Sequence, residues 1–300
     1  MILFFNGTYN YSLSDGHHVD PRNIFDFSER SKWINIPLSK VQKLQHLIGV
    51  LKEVYASPAR VNYIFLGTDN LEEVAFLISM TAPEEKLIIL SGSMRPLGHP
   101  EYDGFDNFLN ATAAGESELR LENGCLVVMG GRVFDGRTVR KRHSTSLNAF
   151  GSPEGPLAQW LGGNRWSRVG FKRCRGQIYS LDQIRLDANI PILTVALFDD
   201  LNFLRTDSLD GLVVAGSGTG TIPIQARERL APLAKKVPIV ISTRCYSGPN
   251  YNDEMYPGSA ASYEGEGFIL RGYEDLNPLQ ARFLLMAQLG KVREESSSIL

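Results

Sequence analysis

The chain has 300 residues, with 31 lysines and arginines against 33 aspartates and glutamates, which leaves a formal charge of -2 at pH 7. This balance gives no general attraction to nucleic acid or to an anionic membrane surface, and no apolar run approaches the roughly 18 residues of a membrane span. The three cysteines are scattered and odd in number, so they indicate neither a disulfide framework nor a metal site and favour a cytoplasmic protein. The first residues, MILFFNGTYN, are typical of a first β-strand rather than of a leader.

Apolar runs typical of β-strands alternate with amphipathic stretches typical of helices. The predicted strands are 1–6, 61–66, 86–92, 125–130, 191–198, 211–216 and 237–243, and the predicted helices are 38–55, 70–81, 103–115, 222–234 and 277–289. This alternation predicts an α/β fold with a largely parallel sheet, whose ligands bind beyond the carboxyl ends of the strands. Residues 151–187 break the alternation and are interpreted as a connector between a larger N-terminal domain and a smaller C-terminal one, and EESSSIL at the end as a frayed tail.

Three of the predicted strands end in a glycine beside hydroxyl side chains. These strand ends are Gly7-Thr8, Gly67-Thr68-Asp69 and Ser91-Gly92-Ser93. Thr68 and Asp69 are good helix N-cap residues, so capping alone would explain them. Their recurrence at one edge of a parallel sheet favours another interpretation, in which a hydroxyl attacks a carbonyl group and backbone amides hold the oxyanion.

A threonine hydroxyl is a poor nucleophile unless a base or a nearby cation activates it. The candidate is Lys141 in DGRTVRKRHST, because desolvation lets a lysine act as a proton acceptor. Composition alone favours the alternative that Lys141 is a surface cation in a cluster with Arg137, Arg140 and Arg142.

The histidines and the glycine-rich segment give no sign of a cofactor. The five histidines lack the spacing of metal ligands. The stretch AGSGTGT lacks the full dinucleotide fingerprint and its acidic partner. The sequence therefore predicts neither a metal nor an organic cofactor.

Five segments, in order along the chain, resemble the bacterial-type L-asparaginase/glutaminase family of amidohydrolases. They are LGTDNLEEVAFLI, LSGSMRPLGHPEYDGFDNFLNA, VFDGRTVRKRHST, GLVVAGSGTGTIP and LNPLQARFLL. The resemblance implies a larger, mostly parallel N-terminal domain over 1–165, a linker over 166–187 and a smaller parallel α/β domain over 188–300. It also implies a homo-oligomer, a dimer or a tetramer, with active sites between one subunit's N-terminal domain and a neighbour's C-terminal domain.

The resemblance assigns eight residues to the active site. The catalytic residues are Thr8, Thr68, Asp69 and Lys141, and the substrate-binding residues are Ser39, Gly67, Ser93 and Met94. Thr8 is implied as the nucleophile that accepts the acyl group, and Thr68, Asp69 and Lys141 as the group that moves the proton. Asp69 is also implied to bind the substrate's α-ammonium, and the backbone carbonyl of Ser93 to hold the amide nitrogen.

The sequence departs from the family pattern at the positions that bind the α-carboxylate and α-amine of a free amino acid. In the family, a mobile lid segment after the first threonine carries a tyrosine. The matching segment here, SLSDGHHVDPRN, has no tyrosine. His17 and His18 are candidates to take its place, and the alternative is that they are solvated loop residues. Pro37 and Leu38 stand where the family has glycine and serine. An unpaired polar group costs about 1–3 kcal/mol, so free L-asparagine should bind weakly.

The sequence thus predicts a threonine amidohydrolase that acts on a carboxamide other than free L-asparagine, such as a larger, N-acylated, peptide-like or specialised-metabolite amide. Two alternatives retain catalysis: an amide or acyl transferase, and an ester or lactone hydrolase. A third is a non-catalytic homologue that binds a small molecule or a partner.

Overall fold

The computed structural model describes residues 1–25, 31–37, 44–117, 124–163, 165–169, 176, 178–251, 253 and 256–297. The chain divides into two compact units, Met1–Leu181 and Asp182–Leu300. This division falls inside the segment predicted as a linker, 166–187, and the finer domain limits of 1–165 and 188–300 stay a prediction.

The first unit is built on an eight-stranded sheet. Its strands, with those of a small two-stranded sheet, are β1 (Ile2–Asn6), β2 (Ser31–Pro37), β3 (Val61–Phe65), β4 (Leu87–Ser91), β5 (Gly124–Met129), β6 (Arg132–Asp135), β7 (Arg140–Lys141), β8 (Phe150–Gly151), β9 (Ala158–Gly162) and β10 (Arg165–Arg168). The large sheet has the order β10-β9-β6-β5-β4-β3-β1-β2, and β7 pairs with β8. Strands β1 to β5 pair in parallel, and β6, β9 and β10 pair antiparallel.

Helices and aromatic side chains pack against this sheet. The helices are α1 (Leu44–Ala56), α2 (Leu71–Thr81) and α3 (Gly104–Glu116), with short 3-10 helices at Thr8–Asn10 and Pro21–Asn23. Phe4, Phe65, Phe25 and Phe108 form a buried cluster in which the last two rings stack at 4.4 Å. Tyr9 joins this cluster, so the segment that follows β1 is anchored in the core.

The second unit has a three-stranded parallel sheet. Its strands are β11 (Ile192–Thr194), β12 (Leu212–Gly216) and β13 (Ile239–Thr243), and its helices are α4 (Ile224–Ala234), α5 (Ser259–Gly265) and α6 (Pro278–Ser297). A 3-10 helix spans Leu181–Gln183. The strand order is β11-β12-β13. None of the helices that the structure describes is both long enough and apolar enough to cross a membrane.

The predicted α/β fold with two sheets is confirmed, and the observed elements differ from the predicted ones at several points. Strands β2 and β6 and helix α5 were not predicted, and the strand predicted over 191–198 ends at Thr194. The connector expected over 151–187 contains β9 and β10, a hairpin that extends the large sheet. Its strands were missed because they are short, have almost no buried side chains, and are joined through Gly162 and Gly163 at positive φ. The tail predicted to be frayed continues α6 as far as Ser297. The helix predicted over 38–55 is observed from Leu44, and 38–43 lie outside the described residues.

Candidate active site

Glycines bring the carboxyl ends of β1, β3 and β4 into close contact. A Cβ atom on Gly7 would lie 2.6 Å from the backbone nitrogen of Gly67 and 2.8 Å from its Cα. A Cβ on Gly92 would lie 2.5 Å from the carbonyl oxygen of Leu66. The chain segments that carry Thr8 and Thr68 therefore approach each other more closely than any side chain would allow.

Lys141 lies between the side chains of Thr68 and Asp69. Its Nζ is 3.0 Å from Thr68 Oγ1 and 3.0 Å from Asp69 Oδ1. Thr68 is buried, the Lys141 side chain is 14% exposed, and the Asp69 side chain is 85% exposed. The interpretation of Lys141 as a solvated surface cation is therefore wrong, because the ammonium group is held between a buried hydroxyl and a carboxylate.

A partly buried carboxyl group holds the backbone of Lys141. The Lys141 N–H donates to Glu72 Oε2 at 3.2 Å, and Glu72 lies in the first turn of α2. Burial raises the pKa of the Glu72 carboxyl, and the bond from Lys141 opposes this effect without cancelling it. On its other side Lys141 pairs with Phe150 of β8. The lysine is thus fixed at its backbone as well as at its ammonium group.

Thr8 begins the 3-10 helix after β1, and an asparagine network fixes that turn. The Asn10 side chain accepts the Gly7 N–H at 3.0 Å and donates to Asn6 Oδ1 at 3.1 Å and to the Val19 carbonyl at 2.9 Å. Trp33 Nε1 donates to the same Asn6 oxygen at 2.8 Å. The backbone around Thr8 is therefore set by buried side-chain hydrogen bonds.

One cavity of about 360 Å³ contains both threonines. Its lining includes Thr8, Gly67, Thr68 and Asp69, so four of the residues predicted from the sequence meet there. Lys141 reaches this group through its bonds to Thr68 and Asp69. The arrangement places two hydroxyl groups, one amine and one carboxylate around a space that can hold a small substrate.

The substrate-binding roles predicted for Ser93 and Met94 stay predictions, and the structure shows the hydrogen bonds that hold both residues. Both are buried, neither lines the cavity, and the Ser93 hydroxyl donates to Asp103 Oδ1 at 2.8 Å. The Met94 N–H donates to the same carboxylate at 3.0 Å, and the Ser91 hydroxyl donates to the Val128 carbonyl at 2.7 Å. The hydroxyls of Ser91 and Ser93 therefore bond to other groups of the protein, contrary to the expectation that all three strand ends present hydroxyls for catalysis.

Asp103 and Asn107 organise this turn, and their role was missed from the sequence. Asn107 Nδ2 donates to the Gly92 carbonyl at 3.0 Å and to Asp103 Oδ2 at 2.9 Å, and Asn107 Oδ1 accepts the Gly130 N–H at 3.0 Å. Their spacing of four residues at the start of α3, within DGFDNFLNA, was the available signal. Ser39, the remaining predicted substrate-binding residue, lies outside the described residues.

Tyr11 and His18 also line the cavity. The two residues face each other across an antiparallel bridge, and their rings lie 5.3 Å apart at 74°. His17, the other candidate substitute for the lid tyrosine, is exposed, and its Nδ1 is 3.0 Å from the Asp15 carbonyl. Of the two histidines considered, His18 is therefore the one at the site.

The fold and the site define a two-unit α/β protein with a threonine–lysine–aspartate cluster at the edge of a parallel sheet. Two family models match it, described as Asparaginase, N-terminal, over residues 28–169 and Glutaminase/Asparaginase C-terminal domain over residues 196–298. The chain belongs to the asparaginase/glutaminase family of amidohydrolases. Thr68, Asp69 and Lys141 lie inside the first match, and Thr8 precedes it.

Known proteins agree with this membership. The chain is 31% identical over 259 residues to a probable L-asparaginase of Deinococcus radiodurans, which covers 85% of this chain and 78% of the relative. It is 29% identical over 239 residues to L-asparaginase 2 of Escherichia coli, covering 76% and 66%. The crystal structure of a probable cytoplasmic L-asparaginase from Campylobacter jejuni superposes with a TM-score of 0.79 at 26% identity, covering 97% of this chain and 94% of that one.

Proposed function

We propose that this chain hydrolyses a carboxamide through an acyl-enzyme on Thr8, with Thr68, Lys141 and Asp69 as the group that moves the proton. The observation that carries the proposal is the position of Lys141 Nζ, 3.0 Å from both Thr68 Oγ1 and Asp69 Oδ1, beside a cavity that Thr8 also lines. A hydroxyl needs such a neighbouring group before it can attack an amide.

In the first half of the reaction, the Thr8 hydroxyl oxygen attacks the amide carbon. Its proton passes to the Thr68–Lys141 pair, while Asp69 stabilises the positive charge on Lys141. The carbon–nitrogen bond then breaks, the proton goes to the leaving nitrogen, and ammonia departs. The acyl group is left as an ester on Thr8.

In the second half, water takes the place of the ammonia. The same Thr68–Lys141 pair accepts a proton from the water as it attacks the ester carbon. The bond to Thr8 breaks, Thr8 recovers its proton, and a carboxylic acid is released. One amide and one water thus give one acid and one ammonia.

The direct bond from Lys141 to Thr68 favours a second candidate for the nucleophile, which is Thr68 itself. The two assignments are separated by trapping the acyl-enzyme with acid during turnover and locating the added mass on the peptides. An adduct on the peptide that contains Thr8, abolished in Thr8→Ala, supports the proposal. An adduct on Thr68 that persists in Thr8→Ala contradicts it.

We propose further that free L-asparagine is a poor substrate for this site. The change of the family's glycine and serine to Pro37 and Leu38 supports this, because it removes a hydroxyl that would pair a polar substrate. The test is ammonia release from L-asparagine, L-glutamine, their D-forms and N-acylated and peptide-bound versions, with Thr8→Ala as the control. Hydrolysis of free L-asparagine or L-glutamine as efficiently as of the blocked amides contradicts the proposal.

We propose that the protein acts in the cytoplasm as a homo-oligomer, a dimer or a tetramer, with active sites shared between subunits. Family membership supports the oligomer, and the scattered cysteines support the location, with Cys125 and Cys245 both free thiols. Light scattering of the purified protein gives its mass directly, and a mass equal to the 33.3 kDa of one chain would overturn the oligomer.

A further inference from the structure

The cavity that contains the two threonines has an apolar and aromatic wall. The wall consists of Tyr11, Leu13, His18 and Pro96. Tyr11 and His18 meet edge to face with ring centroids 5.3 Å apart, an arrangement that aromatic pairs favour. Leu13 leaves 52% of its surface exposed, so part of its side chain is available for contact with a ligand.

Backbone hydrogen bonds within the first unit hold this wall in place. The Leu97 N–H donates to the Tyr11 carbonyl at 2.9 Å, and the Leu13 N–H donates to the Leu97 carbonyl at 3.0 Å. The Ser12 N–H closes the turn by donating to the His17 carbonyl at 3.0 Å. These bonds use the main chain, so they fix the backbone of the wall without engaging the Leu13 side chain.

The chemistry of the cavity is divided between its reacting groups and its wall. Among the described residues that line it, Asp69 and His18 are the ones that can carry a charge. A free amino-acid amide carries charged groups close to its carbon chain. It therefore has little apolar surface that could pack against an apolar wall. An amide with an aromatic or alkyl substituent can place its carbonyl at the threonines and remove the substituent from water against the wall.

We infer that the wall binds an apolar or aromatic substituent of the amide substrate, and that this contact sets the specificity of the site. The inference rests on the proposed function and narrows it, because it places the substrate among amides that carry an aryl or alkyl group, such as an N-acyl group. Tyr11, Leu13, His18 and Pro96 are specificity-determining residues in this assignment, and they take no part in moving the proton.

The kinetic test compares N-phenylacetyl-L-asparagine with L-asparagine by ammonia release. The wild-type protein is expected to prefer the phenylacetyl amide in kcat/KM. Leu13→Ala is expected to lower that preference about tenfold, since part of the apolar contact is removed. The matched control is Leu161→Ala, a similarly exposed leucine, 57% accessible on β9, which should keep the wild-type preference. A preference for L-asparagine, or one that Leu13→Ala leaves unchanged, overturns the inference.

A binding test separates failure of the wall from failure of the proposed reaction. Calorimetry with the products N-phenylacetyl-L-aspartate and L-aspartate requires no turnover. Tighter binding of the phenylacetyl compound, lost in Leu13→Ala and kept in Leu161→Ala, supports the wall even if no ammonia is released from any amide. Equal binding of the two products, or no binding of either, overturns the inference about the wall. The proposed amidohydrolase activity is then still tested separately by ammonia release from L-asparagine.

Discussion

In both units, glycines allow close backbone contacts at the carboxyl ends of the parallel strands. Only in the first unit is a charged side chain described beside the hydroxyl groups there. In the first unit Gly7 lies against Gly67 at the ends of β1 and β3. In the second unit Gly216 at the end of β12 lies against Gly220, where a Cβ would approach within 2.4 Å of its carbonyl group. Both edges therefore use glycine to let backbone segments meet at the carboxyl ends of parallel strands.

The hydroxyl groups at these two edges have different partners. In the first unit the Thr68 hydroxyl meets the ammonium group of Lys141. In the second unit Ser242 donates to the Leu276 carbonyl at 2.8 Å, and Thr243 bonds to the Gly218 carbonyl.

The cavities beside the two edges differ in the same way. The second unit also has a cavity, of about 590 Å³, and none of the described side chains that line it is charged. Glycine and hydroxyls at a parallel strand end are thus a scaffold, and the amine distinguishes the reactive edge.

The largest expected effect follows from removing that amine. Lys141→Met should lower kcat for amide hydrolysis by about 100-fold to 10,000-fold, the range of a group that transfers a proton in the transition state. Arg142→Met is the matched control, because Arg142 is the next residue and is exposed. A Lys141→Met protein that keeps more than a tenth of the wild-type kcat would show that the amine does not distinguish the reactive edge.

Replacing the buried hydroxyls of Thr68 and Ser242 by alanine should affect different properties of the protein. Thr68→Ala removes the hydroxyl that meets Lys141 and should lower kcat by about 100-fold. Ser242→Ala removes a buried donor to a carbonyl and should lower the free energy of unfolding by about 1–2 kcal/mol, with kcat of the folded protein retained. Urea denaturation and steady-state rates measured on both variants give the comparison, and a loss of kcat in Ser242→Ala alone would reverse it.

A loss of activity of up to that size is expected from separating the two threonines. Gly7→Ala places a methyl group against the Gly67 backbone, which should cost about 1–3 kcal/mol of unfolding free energy. It should also displace Thr8 from Thr68, and a shift of about 1 Å in an active site can cost roughly 100-fold in rate.

Gly49→Ala is the control for this change. Gly49 is exposed in α1 with open space around its Cβ position, so this variant should gain up to about 1 kcal/mol in helix stability and keep its rate. A Gly7→Ala protein as stable and active as Gly49→Ala would show that the close contact is unimportant.

The smallest effect concerns the pH dependence of two carboxyl groups. Burial raises the pKa of Glu72 in the first unit, so its contribution to stability is present below the ordinary glutamate pKa of about 4.3 and is lost as the pH rises through the raised value. The Asn189 N–H bond lowers the pKa of Asp210 in the second unit, so its contribution is present above the ordinary aspartate pKa and is lost as the pH falls.

Glu72→Gln and Asp210→Asn should therefore move in opposite directions. Relative to wild type, Glu72→Gln should become more stable as the pH rises from 4 to 7, and Asp210→Asn should become less stable over the same range. Urea midpoints at the two pH values measure both trends. The interpretation of Glu72 fails if its variant loses stability relative to wild type between pH 4 and 7.

Much of the fold follows from the sequence because its buried strands are continuous apolar runs between turn residues. The runs at Ile2–Asn6, Val61–Phe65 and Leu87–Ser91 could be recognised locally. The β9–β10 hairpin could not, since half of its side chains are exposed and its pattern resembles a loop. Local patterns report burial, so elements at the edge of a sheet give the weakest signal.

The site was less accessible to sequence reasoning because its contacts join distant residues. Lys141 could not be distinguished from its arginine neighbours by composition, since the contact that singles it out reaches 73 residues back to Thr68. The Ser93 hydroxyl was expected among the reacting groups at the strand ends, and it bonds instead to Asp103 ten residues ahead. Tyr11 was given no role from the sequence, and the 3-10 turn between Thr8 and Tyr11 brings it to the cavity.

The hydrogen bonds that join Leu97 with Tyr11 and Leu13 also bear on the entropy of substrate binding. A loop that becomes ordered only when substrate arrives spends about 1–2 kcal/mol of chain entropy for each residue that it fixes. The segment from Tyr11 to His18 is bonded before any ligand binds, so binding spends little on ordering it.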